Sequence, residues 1–420
     1  MRGFVNFSYS AMTRHRFSAR RASPESQIGS GYRTDERVSV MSKSVTAAVV
    51  AEPGGAFSLE RVSLATPGAH EVLVEIKGIG LCHTDIAARD GFFGLSYPMV
   101  LGHEGSGIVV ATGAEVTSVA PGDHVALSFA SCGHCDQCAD GQPAYCVEFG
   151  ARNYGSGLRP DGTSTITQDG QLVTAAFFGQ SSFATHALAT ERNVVKVGTD
   201  IPIELVGPLG CGIQTGAGAV FNSLDCQAGQ SLSVLGAGPV GLAAVMAAKV
   251  RGCTPIIVSD PDPRRRALAL ELGADTTIDP ATGPLEGKVR AVSGRGVDYA
   301  FDTTGIPSIL EEAFAVLAPR GTLGFVGVPH DVTATMAVPL VPAMVSGVTV
   351  RGITEGDSDP STLIPYLLEL FRCGKFPFDK LIGTFPFSDI NAAVAAQARG
   401  EVAKVVLVHG APSSTGSTGA

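Results

Sequence analysis

The sequence lacks the features that membrane-spanning, secreted and nucleic-acid-binding proteins need. No apolar run approaches the roughly 20 residues of a membrane-spanning helix, and no continuous apolar segment marks a secretory signal. The formal net charge of −9 disfavours nonspecific binding to nucleic acid or to anionic membrane. These absences predict a cytoplasmic protein that has a small molecule, and neither nucleic acid nor a membrane, as its partner.

Apolar residues and cysteines, by contrast, are plentiful. The 420 residues are 45% hydrophobic, which is enough to bury a large core in two domains. Four of the nine cysteines fall within the stretch "SCGHCDQCADGQPAYC" at 131–146. Clustered thiols in a long chain are typical of metal ligands in a reducing compartment rather than of disulfides.

The two ends differ from the rest of the chain. Residues 1–40 contain seven arginines, no lysine and only three acids, with no strand or helix period. We interpret them as a disordered leader or as a start assigned upstream of the true one at Met41, and an organellar targeting segment is the alternative. Residues 411–420 are small and polar and predict a disordered tail.

The middle of the chain changes character near residue 212. Short β-rich runs broken by Gly and Pro fill 41–212 and predict a β-barrel-like domain. From 213 to 352, strand and helix patterns alternate, which predicts a doubly wound parallel sheet with helices on both faces. Residues 353–410 add helical segments and a last strand. The predicted fold class is therefore α/β with a second, β-rich domain.

A GxGxxG motif lies between a predicted strand and a predicted helix. Gly236 permits the tight turn, Gly238 lets the backbone approach a pyrophosphate, and Gly241 allows close packing of helix on strand. Asp260 ends the next apolar run, where its carboxylate can accept hydrogen bonds from the adenosine ribose of NAD. Its charge disfavours NADP, whereas the arginine run at 264–266 favours a 2′-phosphate. A tight turn that binds nothing is the alternative.

The four clustered cysteines follow the spacing C-x2-C-x2-C-x7-C. They are Cys132, Cys135, Cys138 and Cys146. One loop with this spacing can wrap four thiolates around a tetrahedral ion, and zinc suits it best. Four sulfurs close the coordination shell, so the predicted role is structural. Ligation of an iron–sulfur cluster is the alternative.

A second set of metal-binding residue types is scattered along the chain. It consists of Cys82, the pair His103 and Glu104, and Cys211. Spacing alone explains each of them equally well as a buried core residue. Because Cys211 lies at the boundary between the two predicted domains, a metal held there would face the cleft between them, and an open site of three ligands suits catalysis.

Residues 45–409 resemble the zinc-containing alcohol dehydrogenases of the medium-chain dehydrogenase/reductase superfamily. The resemblance rests on "GHE" with Glu104, the 21-residue step from Cys82 to His103, the four cysteines, "VLGAGPVG", and "VGVP" at 326–329. Within the superfamily, "CHTD", "GFFG", "FFGQSSFATHA" and "CGIQTGAGA" are most similar to the aryl-alcohol, or benzyl-alcohol, dehydrogenases.

This resemblance implies a domain plan. A GroES-like catalytic domain would span 41–212 and carry a structural zinc lobe at 131–146. A Rossmann NAD-binding domain would span 213–352, and 353–410 would return to the catalytic domain. The family usually pairs its nucleotide domains edge to edge, and the apolar "VPLVPAMVSGVTVRG" agrees with a homodimer or homotetramer.

The resemblance also implies a ligand set. Cys82, His103 and Cys211 would hold a catalytic zinc that polarises the alcohol, so that hydride passes from the alcohol carbon to the nicotinamide of NAD. Glu104 would lie behind the metal, and Asp85 would orient the ligand histidine. With the zinc of the lobe, this makes two zinc ions per chain.

One departure from the family concerns proton release. Thr84 would hydrogen-bond the alcohol oxygen and begin to move its proton away. Many members carry a histidine as the outer end of that relay, at the position where this chain has Ala87. The implied route therefore runs from Thr84 through the cofactor ribose and water.

The remaining implied contacts are with the cofactor. Thr215 would support the nicotinamide ring, the backbone of Val326 and Val328 would meet its carboxamide, and His83 and Lys404 would place cations near the pyrophosphate. A plain surface histidine is the alternative for His83. The complete predicted cofactor set is His83, Thr215, Gly236, Gly238, Val240, Gly241, Asp260, Arg265, Val326, Val328 and Lys404.

The predicted substrate pocket is aromatic. The ligand spacing brings Phe92, Phe93 and Phe129 near the zinc, where they would form a slot for a flat ring or a long alkyl chain, and core or loop packing is the alternative. The prediction is an NAD-dependent dehydrogenase that interconverts a benzyl-alcohol-type or other bulky primary alcohol and its aldehyde. The alternatives are action on a thiol adduct of formaldehyde, action on aliphatic or terpene alcohols, and a non-catalytic nucleotide-binding relative.

Overall fold

The computed structural model describes residues 42–410 of the chain. The predicted leader at 1–40 and the predicted tail at 411–420 lie outside the described residues. Within 42–410, no helix is both long enough and apolar enough to cross a membrane.

The helices and strands of the described residues form a β-rich half and an α/β half. The strands are β1 (Lys43–Val50), β2 (Ser58–Leu64), β3 (Glu71–Gly80), β4 (Met99–Val100), β5 (Gly105–Thr112), β6 (His124–Leu127), β7 (Ile166–Gln168), β8 (Gln171–Val173), β9 (His186–Thr190), β10 (Val194–Val197), β11 (Leu232–Leu235), β12 (Ile256–Ser259), β13 (Thr276–Ile278), β14 (Val297–Asp302), β15 (Leu317–Phe325), β16 (Thr349–Gly352), β17 (Ile382–Pro386) and β18 (Lys404–Val408). The helices are α1 (His83–Arg89), α2 (Asp136–Ala139), α3 (Gly212–Gly218), α4 (Pro239–Arg251), α5 (Pro263–Leu272), α6 (Leu285–Ser293), α7 (Pro307–Ala315), α8 (Leu340–Ser346), α9 (Pro360–Arg372) and α10 (Ile390–Ala398).

Two sheets build the β-rich half. One has the order β4-β1-β2-β7-β8, and the other has the order β10-β6-β5-β3-β18-β17, with β9 also paired to β3. In β3 the alternating side chains of Val72, Val74 and Ile76 are buried, whereas Glu75 and Lys77 point to the other face and stay partly exposed. The last strand, β18, pairs antiparallel with β3, so the first and last described strands both belong to the β-rich half.

A six-stranded parallel sheet forms the α/β half. Its order is β13-β12-β11-β14-β15-β16, and every pairing is parallel. This is the order of a doubly wound dinucleotide-binding sheet. All residues of β11 and β12 are buried, as expected for strands covered by helices on both faces. The predicted fold class is confirmed.

The segment at 353–410 is divided between two hydrophobic cores. Helix α9 packs with the core that contains β11 and α4. Residues of α10 and β18 belong instead to the core of the β-rich half. The core that contains α9 also includes Ala126, Val195 and Val197 of the β-rich half, so this segment packs against both halves.

Helix α3 joins the two halves and is entirely buried. It packs directly on α4: a Cβ atom at Gly216 would lie only 1.9 Å from the carbonyl oxygen of Val240. This close approach needs a glycine at 216. It places the start of α3, and Cys211 before it, at the carboxyl edge of the parallel sheet, where such sheets bind ligands.

Candidate active site and metal centres

Four side chains converge where the two halves meet. The ligand atoms of Cys82, His103, Glu104 and Cys211 all lie within 4.8 Å of one another, and we name these residues the cleft cluster. The N-terminus of α1, the loop before β5 and the start of α3 supply them. The fold therefore brings together the scattered set that spacing alone could not connect.

Asp85 fixes the orientation of His103. Its Oδ1 lies 2.8 Å from Nδ1 of His103 and accepts a hydrogen bond from the Gly102 amide at 3.0 Å, while its Oδ2 accepts one from the Cys82 amide at 3.0 Å. Nε2 of His103 is buried and has no hydrogen-bond partner among residues 42–410. Leaving such a nitrogen unpaired costs on the order of 1–3 kcal/mol, so the arrangement fits a metal ion held at Nε2.

The thiols of the cleft cluster also suit a metal. Hydrogen bonding from the Cys211 thiol holds the pKa of Cys82 well below its usual value, against the opposing effect of burial. A thiolate is the form that binds metal ions. Cys82, His103 and Cys211 therefore offer two sulfurs and one nitrogen, a donor set that suits zinc with an open fourth position.

Glu104 is paired with a buried lysine. Nζ of Lys404 lies 2.6 Å from Oε1 of Glu104 and 3.1 Å from the carbonyl oxygen of Leu81, and Lys404 is only 2% exposed. Burial raises the pKa of Glu104 to about 7, although Lys404 acts to lower it. The ammonium group of Lys404 therefore balances the negative charge of the Glu104 carboxylate. Its contact with a pyrophosphate stays a prediction.

A second buried carboxylate, Glu355, lies on the other side of Cys211. Its Oε1 is 4.0 Å from the Cys211 sulfur, and its Oε2 accepts a hydrogen bond from the Thr215 hydroxyl at 3.2 Å. Burial raises the pKa of Glu355 to about 7. Sequence reasoning missed this residue. The available signal was an acidic, glycine-containing loop, "TEGD", directly after the last parallel strand.

Thr84 and His83 lie in the first turn of α1. The Thr84 hydroxyl oxygen is 3.6 Å from the Cys82 sulfur, which places it beside the cleft cluster. Ala87 follows one turn later on the same helix. His83 is exposed, and its ring centroid lies 6.2 Å from that of His330, which follows β15 and which sequence reasoning also missed.

Aromatic rings surround the ligand histidine. Phe178 stacks on His103 with ring centroids 4.6 Å apart, and Phe177 meets the same ring edge-on at 5.5 Å. We name the connected set the aromatic cluster: Phe92, Phe93, Phe129, Phe149, Tyr154, Phe177 and Phe178. The first three were predicted, and the other four were not. The available signal was the aromatic pair in "FFGQ".

The glycine-rich turn has the predicted form. Gly236 has a φ of 95°, and a Cβ at Gly241 would lie 1.9 Å from the Gly236 carbonyl oxygen, so both positions require glycine. Among the described residues, no atom lies within 4 Å of a Cβ built on Gly238, which leaves its backbone open to a ligand. Oδ2 of Asp260 accepts a hydrogen bond from the Ala237 amide at 2.8 Å, so its negative charge lies at this turn.

The arginines after Asp260 already have acidic partners. Arg264 is paired with Asp262 at 2.7 Å, and Arg266 with Asp279 at 3.1 Å. Arg265 lies at 3.9 Å from Asp260.

The other predicted cofactor residues occupy the same edge of the sheet. Val326 and Val328 follow β15, and Val328 is exposed. Thr215 lies in α3, and Val240 in the first turn of α4. The contacts of these residues with a cofactor stay predictions.

Four further sulfurs meet in one partly exposed loop. The atoms of Cys132, Cys135, Cys138 and Cys146 lie within 4.8 Å of one another, and we name these residues the lobe cluster. Backbone amides donate to the sulfurs: Cys132 N lies 3.2 Å from the Cys146 sulfur, and Cys135 N lies 3.3 Å from the Cys132 sulfur. Such amide bonds, from Val147 first, lower the pKa of Cys135 to about 6. Four sulfurs with amide donors fit a closed tetrahedral metal site.

Comparisons with known proteins agree with this geometry. Residues 68–199 match the family model of the alcohol dehydrogenase GroES-like domain, and residues 239–371 match that of the zinc-binding dehydrogenases. A geraniol dehydrogenase of Castellaniella defragrans is 49% identical over 366 residues, which are 87% of this chain and 98% of that protein.

Two crystal structures are also similar. The benzyl alcohol dehydrogenase of Acinetobacter calcoaceticus is 41% identical, with a TM-score of 0.85 over 88% of this chain and 100% of that one. An alcohol dehydrogenase zinc-binding domain protein of Burkholderia ambifaria is 45% identical, with a TM-score of 0.86 over 88% of this chain and 100% of that one. The chain belongs to the zinc-type alcohol dehydrogenases of the medium-chain dehydrogenase/reductase superfamily. It is a zinc-dependent oxidoreductase that acts on alcohols.

Proposed function

We propose that the protein oxidises bulky primary alcohols whose carbinol carbon is benzylic or allylic, with NAD as the hydride acceptor. The aromatic cluster around His103 carries the proposal. Rings packed beside the ligand histidine favour a flat or extended apolar substrate over ethanol. The names of two relatives, a geraniol dehydrogenase and a benzyl alcohol dehydrogenase, support the same class of substrate.

A kinetic panel tests this proposal. With NAD, kcat/KM for benzyl alcohol or geraniol should exceed that for ethanol by at least about 10²-fold, because each methylene held in an apolar pocket contributes about 1–3 kcal/mol. A thiol adduct of formaldehyde and a straight-chain alcohol complete the panel. Ethanol or the thiol adduct as the best substrate would overturn the proposal, as would no turnover of any alcohol.

The mechanism follows from the side chains of the cleft. Cys82, His103 and Cys211 would hold the catalytic zinc, which when bound supplies Lewis acidity at the alcohol oxygen. Asp85 holds Nδ1 of His103, so that Nε2 stays available to the metal. The Thr84 hydroxyl, beside the Cys82 sulfur, is placed to accept the alcohol proton and pass it outward.

Asp260 supports the choice of NAD. Its Oδ2 lies at the glycine-rich turn, where it can accept a hydrogen bond from a ribose hydroxyl and would repel a 2′-phosphate. Arg264 and Arg266 are paired with Asp262 and Asp279, so they do not offer a free cation for that phosphate. We propose further that the lobe cluster binds a second, structural zinc ion.

We also propose that the protein is a homodimer or a tetramer of such dimers. Leu340, Met344 and Val345 of α8 are between 74% and 80% exposed, and all four residues of the edge strand β16 are exposed. A second copy would cover this apolar face and the open strand edge. Val345→Asp should shift the molar mass measured by light scattering to that of a monomer. Val292→Asp, at another exposed valine, is the control and should leave the mass unchanged.

A further inference from the structure

The four-cysteine loop is hydrogen-bonded to a turn far away in the chain. Tyr145, the residue before Cys146, donates its hydroxyl proton to Oδ1 of Asp357 at 2.6 Å. The same oxygen of Tyr145 accepts a hydrogen bond from the Thr354 amide at 3.4 Å. A tyrosine hydroxyl is protonated at neutral pH, so it serves as the donor of this hydrogen bond.

The turn that receives this bond has an uncommon backbone. Glu355, Gly356 and Asp357 have φ angles of 50°, 66° and 50°. Side chains other than glycine rarely adopt this left-handed conformation, so two of them in one turn require partners that hold them there. Asp357 is 6% exposed and finds its partners in Tyr145 and Arg351.

The other end of the turn reaches the cleft cluster. A Cβ at Gly356 would lie 2.7 Å from the Thr215 carbonyl oxygen, so the turn packs directly on α3. Glu355 then accepts the hydrogen bond from the Thr215 hydroxyl and lies beside the Cys211 sulfur. One continuous path of contacts thus runs from the loop of the lobe cluster to Cys211, a predicted metal ligand.

We propose that Tyr145 is a positioning residue for the active site: its hydroxyl holds the turn at 354–357, and through it holds Glu355 against Thr215 and Cys211. The four-cysteine loop then does more than stabilise itself, because it fixes one wall of the cofactor and metal site. When turnover is measured, the test of this inference rests on the proposed function. When NADH affinity is measured, the test does not depend on the substrate.

The test is a double-mutant cycle of Tyr145→Phe and Glu355→Gln. Tyr145→Phe should keep the zinc content of the wild type and fold with only a small loss of thermal stability, since Arg351 still pairs with Asp357. It should lower kcat/KM about tenfold, because Glu355 is then held less firmly against Thr215 and Cys211. The double variant should be no worse than Glu355→Gln alone, since Tyr145 acts on the site through the position of Glu355. The control is Tyr299→Phe, which removes a hydroxyl bonded to Gln230 at 2.9 Å in the α/β half and should behave like the wild type.

The same cycle is measured by NADH binding, which needs no alcohol. The chain has no tryptophan, so the fluorescence of bound NADH is read without that background. Affinity should fall several-fold in Tyr145→Phe, without further loss in the double variant. Non-additive losses of affinity in a protein that oxidises no alcohol would support this inference and overturn the proposed function. Additive losses, wild-type behaviour of Tyr145→Phe, or loss of zinc from it would each overturn the inference.

Discussion

The cleft cluster and the lobe cluster offer a metal similar sulfur ligands in very different surroundings. In the cleft, two thiols share the space with a histidine, and two carboxylates with raised pKa values, Glu104 and Glu355, lie close by. In the lobe, four sulfurs accept hydrogen bonds from their own loop, and the ligands come from one short stretch of chain. The proposed division into a catalytic and a structural zinc therefore rests on the surroundings of each site as well as on its ligands.

The largest effect on activity is expected from removing one predicted metal ligand of the cleft cluster. Cys82→Ser should lower turnover by at least about 10³-fold, because the Lewis acid supplies several kcal/mol of transition-state stabilisation. The far-ultraviolet circular dichroism and the affinity for NADH should stay near those of the wild type. If Cys82→Ser retained its turnover, Cys82 would not be a ligand of the catalytic zinc.

The matching change in the lobe should act on stability. Cys138→Ser should lower the thermal unfolding midpoint by at least about 5 °C, since the binding energy of a structural metal is folding energy. Its turnover per folded chain should fall no further than in Tyr145→Phe. A midpoint equal to that of the wild type would contradict a structural metal in the lobe.

Thr84 tests the cleft side of the comparison, because its hydroxyl lies beside the Cys82 sulfur. Thr84→Ala should lower kcat by about 10²-fold, in line with the loss of a positioned proton-transfer group. Thr84→Ser keeps the hydroxyl and should stay within a few-fold of the wild type. Equal activity of the two variants would mean that the proton leaves by another path.

Asp260 tests the cofactor side of the cleft. Asp260→Ala should narrow the preference for NAD over NADP by about tenfold, the equivalent of 1.4 kcal/mol of repulsion of the 2′-phosphate. The ratio of the two kcat/KM values measures it. If the wild type had equal kcat/KM values with NADP and NAD, Asp260 would not determine cofactor preference, and the arginines at 264–266 would bind the 2′-phosphate.

The smallest expected effect concerns Ala87. An imidazole at this position would supply a base with a pKa of about 6.5, which the chain lacks there. Ala87→His should therefore raise turnover more at a pH of about 7 than at a pH of about 9, where hydroxide already accepts the proton. If Ala87→His had the same pH profile as the wild type, residue 87 would not lie on the path by which the alcohol proton leaves.

Sequence reasoning worked best where the chemistry is local. The glycines at 236–241 and the four cysteines at 131–146 each lie in one short stretch, so spacing alone predicted their geometry. The scattered ligands needed the family resemblance, because only the fold brings Cys82 and Cys211 together.

Contacts between residues far apart in the chain explain what the sequence did not show. The ammonium group of Lys404 lies against Glu104, 300 residues earlier in the chain, and no sequence pattern indicated this pairing. Glu355 was missed because the loop "TEGD" does not reveal that its turn is held by Tyr145 of a distant loop. Phe177 and Phe178 carried no predicted role, because only the fold brings them beside His103.

The most direct test of the division between the clusters is a zinc count in the purified variants, with the thermal unfolding midpoint measured on the same samples. The wild type should contain two zinc ions per chain, and Cys82→Ser and Cys138→Ser should each contain one. Only Cys138→Ser should unfold at a lower temperature. A single zinc in the wild type, or an equal loss of thermal stability in both variants, would contradict the account.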